Sequence, residues 1–186
     1  VTSRISASDT VPFPFGFGMD PDAPGAIDLA ETKALVSLLA RAGVDLLSVS
    51  LGIPYWKPHF GRPFDEPVPG GKLPEEHPLE GVARHLRIAS ELQRSSPGTA
   101  IVGAGYSWLR AFGPGVGAAM VASGRTAIVG LGRGALAYPD FARDLAARGC
   151  LDPRKVCTTC SLCSHSLRQG RRTGCAIRDA EVYGVS

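Results

Sequence analysis

The chain has 186 residues, of which 44% are hydrophobic and 20% charged, with a formal net charge of +3. That composition suits one globular domain with at most an appendage and excludes a disordered or low-complexity chain. No apolar run approaches the roughly 18 residues a membrane helix requires, and Val1 is followed by no charged-then-apolar leader, so we expect a cytoplasmic protein that binds no membrane and whose natural start lies upstream.

In chain order, residues 3–7 (SRISA) read as a strand, followed by a Pro/Gly/Asp-rich loop to about Gly25. Asp28 reads as the N-cap of a helix that places Leu29, Leu35, Leu38 and Leu39 near one face and stops at Gly43. Residues 44–52 form the second strand, 53–78 an aromatic, Pro-rich loop, and 79–96 the second helix. Residues 100–105 are the third strand, a helix ends near Gly124, 126–132 are the fourth strand, and 139–149 the last helix. Strands that read as apolar on both faces, joined by crossover helices, predict an α/β fold with a parallel sheet. Right-handed crossovers would bring all the loops that follow strands to one rim. A doubly wound sheet and a barrel are both open; four units before the cysteines favour the barrel spacing of eight units in roughly 250 residues.

Two Gly-rich turns end the third and fourth strands, at 102–108 (VGAGYSW) and 129–141 (VGLGRGALAYPDF). Glycine lets backbone N–H groups approach a phosphate, a following helix start adds a favourable dipole, and Arg133 offers a cationic fork. The alternative is plain turn chemistry. A dinucleotide fingerprint is rejected, because the third Gly and the acidic residue about 20 positions later are missing. In loop 53–65, Tyr55, Trp56 and His59 are the substrate-side candidates; the alternative is a hydrophobic lid. Trp108 and Tyr138 are expected to pack, His85 to lie on the surface of its helix, and Cys150 to be a small buried hydrophobe. His77, His85 and His165 share no metal spacing.

Cys157, Cys160, Cys163 and Cys175 are spaced C-x2-C-x2-C-x11-C, with the first three on successive tight turns. Four thiolates at that spacing suit an iron–sulfur cube or a tetrahedral zinc site, and spacing alone leaves both open. The charge excess lies here too: Arg154, Lys155, Arg168, Arg171, Arg172 and Arg178 face Asp152, Asp179 and Glu181. A basic tail is a nucleic-acid signal. Interleaved with cysteines, it is better explained as counter-charge for metal-bound thiolates, so no nucleic-acid partner is expected. Clustered cysteines of this kind indicate a reducing compartment rather than a disulfide framework.

Five segments, RISASD (4–9), AGVDLLSVSLGIPYW (42–56), AIVGAGYSWL (100–109), GLGRGALAYPDFARDL (130–145) and the cysteine block, together resemble the Old Yellow Enzyme family of NADH:flavin oxidoreductases. The cysteine block is most similar to the branch containing 2,4-dienoyl-CoA reductase and trimethylamine dehydrogenase. The resemblance implies that residues 1–150 are the C-terminal half, about strands five to eight, of an FMN-binding TIM (β/α)8 barrel, and residues 151–186 an iron–sulfur segment. It implies Arg4 beside the flavin N1 and C2 carbonyl, where a cation stabilises the reduced ring. It places the Gly105 and Tyr106 backbone, and the Gly132–Arg133 pair, at the FMN phosphate. It makes Cys157, Cys160, Cys163 and Cys175 the ligands of a 4Fe–4S cluster.

The implied activity is ene-reductase chemistry: NAD(P)H reduces the flavin, which passes hydride to a small molecule with an activated C=C bond. The family's first four strands are absent, and with them the substrate-binding polar pair and the usual proton donor. The expected partner is that missing N-terminal half, and the chain alone is expected to be unstable or to form a homo-oligomer. The competing readings are a dehydrogenase or demethylase on the same flavin barrel, a zinc-stapled structural or nucleic-acid-binding module, and a non-catalytic truncated paralogue.

Overall fold

The computed structural model describes residues 1–184, so the last two positions of the 151–186 segment lie outside the described residues. Its elements run β1 (Thr2–Ser6), α1 (Ala30–Arg41), β2 (Leu46–Ser50), the single turn α2 (Pro58–Gly61) and α3 (Pro78–Ser95). They continue with β3 (Ala100–Gly103), a 3-10 segment (Tyr106–Phe112), α4 (Gly113–Ala122), β4 (Ile128–Val129), α5 (Arg133–Ala137), α6 (Phe141–Arg148), α7 (Leu162–Arg168) and α8 (Ala180–Tyr183). No helix among the described residues is long and apolar enough to cross a membrane.

The four strands form one parallel sheet in the order β1-β2-β3-β4, with Arg4 opposite Ser48 and Gly103 opposite Val129. The order never reverses, so right-handed crossovers carry successive helices to the same face. Side-chain contacts agree. Leu47, Val49 and Ile101 bury against Val36 of α1 and Ile88 and Leu92 of α3. A Cβ on Gly103 would sit 3.5 Å from Ala89 of α3, and its register partner Val129 meets Gly117 of α4 on that same side.

The expectation of strands apolar on both faces is therefore corrected. In β2, Leu47 and Val49 are buried while Ser48 and Ser50 alternate with them, are only partly buried and border an open cleft. Alternation of this kind marks a sheet with one dry face and one wetter face. Each fully buried Leu or Ile on the dry side contributes about 2 kcal/mol, and truncation of Leu92 to Ala would cost about 2–5 kcal/mol.

Local signals explain the helices. The Asp28 carboxylate accepts from Ala30 N–H at 3.2 Å, Glu31 lies in the first turn and Arg41 in the last, and Gly43 at φ +86° ends α1. Its buried stripe is Leu29, Thr32 and Val36, with Leu39 partly buried against the same core. Leu38, expected on that face, is 57% exposed because two residues beyond Val36 is about 200° around the helix. α3 begins where the His77 ring accepts from Leu79 N–H at 3.2 Å and Pro78 fixes the first turn. It buries Val82, His85, Ile88, Ala89 and Leu92.

Two further expectations fail. His85 is buried rather than on the surface, with its ring Nε2 2.9 Å from the Phe60 carbonyl. Cys150 is exposed rather than buried, one residue past the Gly149 stop of α6. Tyr138 packs as expected, in a small core with Leu151 and Val156 that joins α6 to the cysteine segment.

Candidate functional site

The ends of the four strands open onto a cleft of about 390 Å³. Arg4 of β1, Ser48 and Ser50 of β2, Gly103 and Gly105 after β3, and Gly130, Gly132 and Arg133 after β4 all border it. Four of the five residues expected at a cofactor thus converge. Tyr106 does not border it: the residue is 1% exposed, and its hydroxyl is buried without a partner.

The glycines are there for room. Gly105 has φ +96°, and a Cβ on it would fall 3.0 Å from the His85 Cβ. A Cβ on Gly130 would fall 2.8 Å from the Gly103 carbonyl oxygen. Gly132 borders open space, with nothing within 4 Å of where a side chain would start. This backbone leaves the cleft free at the point where the first N–H groups of the 3-10 segment and of α5 lack intrahelical partners. Arg133 is half-buried; its Nη2 donates to the Pro63 carbonyl at 2.6 Å, and its Nη1 is sealed from solvent with no acceptor. The Gly134 N–H of α5 is taken by the Ser107 hydroxyl at 3.1 Å, so the unsatisfied Arg133 guanidinium nitrogen is the feature that fits an anionic group such as a phosphate monoester.

Cys157, Cys160, Cys163 and Cys175 line one small pocket, and Arg133 lines it too. The three clustered cysteines do not all sit on tight turns. Thr159 and Ser161 take left-handed backbone (φ 60° each), and Cys163 lies in the first turn of α7. A single zinc ion would require four sulfurs about 3.8 Å apart, from Zn–S bonds of about 2.3 Å. Among the described residues no three His, Cys, Asp or Glu side chains gather as a single-ion site. By donor chemistry, four thiols around one pocket suit a zinc ion or an iron–sulfur cube alike.

The cysteine segment is held by the loop after β2. The Ser161 hydroxyl donates to the Glu66 carbonyl at 2.7 Å, and the Thr159 hydroxyl donates to Asp65 Oδ2 at 3.1 Å while accepting from Asp65 N–H at 3.2 Å. Arg62 donates to the Ser164 hydroxyl, and Arg168 to the Pro54 carbonyl. Asp65 is the hub, because it also accepts from Trp108 Nε1 at 2.8 Å and from Arg110. Trp108 is thus a hydrogen-bonded brace for the loop, beyond the packing expected of it.

The substrate-side candidates lie elsewhere. Tyr55 and His59 border a separate cleft with Lys57, Lys72 and Arg168, and Trp56 Nε1 donates to the Thr10 carbonyl at 3.0 Å. None of the three borders the cleft at the strand ends. Burial lowers the His59 pKa. A further cavity of about 370 Å³, between α4 and α6, is lined mainly by apolar side chains including Val121, Val129, Leu145 and Leu151, with Arg110 as its one charged wall. It lacks the convergent polar groups of a ligand site.

The electrostatics join the two pockets. Burial pushes the Cys157 thiol up, opposed by the Thr159 N–H and by Arg133. Burial pulls Arg133 down, opposed by Cys157, Cys163, Cys160 and Asp65. Burial also lowers Arg62, to about 10, helped by Arg133 and Arg168 and opposed by Cys163. Arg133 is thus the cation that opposes the rise at Cys157, and Arg62 is a second cation on this side of the molecule. In the tail, Arg154 pairs with Asp152 at 3.2 Å, Lys155 with Asp144 at 3.4 Å, and Arg178 donates to the Val156 carbonyl.

Sequence reasoning missed Arg62, Asp65 and His85. The available signal was density: Arg62 and Asp65 are charges within a Pro- and aromatic-rich loop, where a charge needs a fixed partner. No protein-family model matches the chain, and no curated protein and no solved structure matches it.

Proposed function

We propose that the chain forms strands five to eight of an FMN-binding (β/α)8 barrel, in an oxidoreductase that reduces activated C=C bonds and carries a 4Fe–4S cluster on Cys157, Cys160, Cys163 and Cys175. The observation that carries this reading is Arg133, which borders both the cleft at the strand ends and the four-thiol pocket. The sequential strand order, helices on one face and a polar open face support the barrel over a doubly wound sheet, which requires a reversal.

When bound, FMN supplies hydride transfer from NAD(P)H to the alkene, and the cluster supplies single-electron transfer. The chain's own residues do the rest. The Gly105 and Gly132 turns leave room for the phosphate, Arg133 would hold it, and Arg4 brings a cation to the open face of β1, where it would favour negative charge on a bound ring. The Asp65 hub fixes the cysteine segment against the same rim.

The test is to express the complete natural reading frame anaerobically, record its visible spectrum, and assay iron, acid-labile sulfide, zinc and released FMN on one sample. About four irons and four sulfides per chain with FMN are expected. Zinc without flavin overturns the proposal. FMN without iron keeps the flavin cleft and leaves the cysteines a structural role.

A further inference from the structure

Arg62 belongs to neither glycine turn nor to the cysteine motif, yet it borders the cleft and is bonded to the cysteine segment. Its Nη1 donates to Ser164, the residue after Cys163, and the side chain borders the cleft at the strand ends. Its Nη2 is sealed from solvent and has no acceptor. Arg133, close enough to depress it, also carries a sealed nitrogen without an acceptor. Neither arginine has a carboxylate within ion-pair distance among the described residues. Two neighbouring half-buried cations without a carboxylate are costly to keep unless a fixed anion faces them. Protonated thiols supply no such charge, whereas four thiolates on a cluster do.

We propose that Arg62 is the charge-compensating and positioning residue of the four-thiol centre. Resting on the reading of that centre as a 4Fe–4S cluster, the role has two parts. Through Ser164 it fixes the start of α7, and with it Cys163. As a partly desolvated cation it stabilises the more negative, reduced form of the centre, since charge and hydrogen bonding near the sulfurs set the potential. Removing it lowers the midpoint potential.

The test uses the complete natural reading frame, purified anaerobically, as wild type, Arg62→Gln, Arg62→Lys and the exposed-tail control Arg171→Gln. Iron and sulfide per chain, released FMN, and the midpoint potential from an EPR-monitored dithionite titration are read for each. Expected is a lower potential, or at least a twofold loss of iron, in Arg62→Gln, with Arg62→Lys closer to wild type and Arg171→Gln unchanged. Wild-type potential and iron content in Arg62→Gln overturn the proposal, as do equal defects in the Gln and Lys variants, which would make charge irrelevant. Wild-type protein without iron and sulfide overturns the cluster reading and this inference together, whereas a loaded wild type with an unaffected Arg62→Gln overturns only the role of Arg62.

Discussion

The cleft at the strand ends and the four-thiol pocket share Arg133 but are built by opposite means. The cleft is made of backbone: short turns follow regular strands, and glycines leave space where a Cβ would meet His85 or the Gly103 carbonyl. The thiol pocket is made of irregular chain, with left-handed Thr159 and Ser161 held by side-chain hydrogen bonds to residues 62–66. A site on a sheet rim inherits its geometry from the fold, whereas the second site depends on a few specific long-range contacts. The two should therefore fail independently.

The sharpest break is Cys160→Ser. We expect loss of the metal centre, read as lost iron and sulfide, with FMN content kept near wild type; joint loss of both would show that the two sites are one unit. Next comes acidification, which acts on the cleft. His85 beneath Gly105 is held neutral, its pKa pulled down to about 4 by burial, with Arg84 and Arg133 adding to the effect and the Phe60 carbonyl opposing it. Its folded pKa lies below the unfolded value of 6.5, so the stability is present above about pH 6.5 and is lost as pH falls through about 4. The loss is about 3 kcal/mol, at 1.36 kcal/mol per unit. Urea melts across that window should show it, and His85→Gln should flatten the profile.

Asp65→Ala removes the acceptor for Trp108, Arg110 and Thr159 and should cost about 2 kcal/mol. Its effect should concentrate on the thiol side, read as faster alkylation of the cysteines in metal-free protein with FMN binding retained. Gly105→Ala is the mirror experiment. A side chain at φ +96° against His85 should cost about 1–2 kcal/mol and weaken FMN binding while leaving iron content unchanged.

The same contrast explains what could be read beforehand. α1 and α3, the parallel sheet and the rim glycines follow from periodicity, caps and turn residues within a few positions of one another. Leu38 was misplaced because its three neighbouring leucines suggested a wider stripe than Leu29, Thr32 and Val36 make. His85 was misplaced because its acceptor, the Phe60 carbonyl, lies 25 residues away on another loop. The cysteine spacing marked a candidate site by itself, and the four side chains do line one pocket. Its seat was not so marked, because Asp65 meets Thr159 across 94 residues and Arg62 meets Ser164 across 102. No local pattern encodes which loop receives a segment at that distance.

Those separations also dictate an order of construction. Closing a loop of about a hundred residues costs little more than closing one of fifty, but only once both ends have something rigid to hold. Asp65 is braced by Trp108 and Arg110 of the 3-10 segment, so its receiving surface exists only after β3 and the chain beyond it are in place. The cysteine segment lies C-terminal to all the residues that form this surface, so its seat is built from chain that precedes it. A chain cut before residue 150 would present that seat with nothing to fill it.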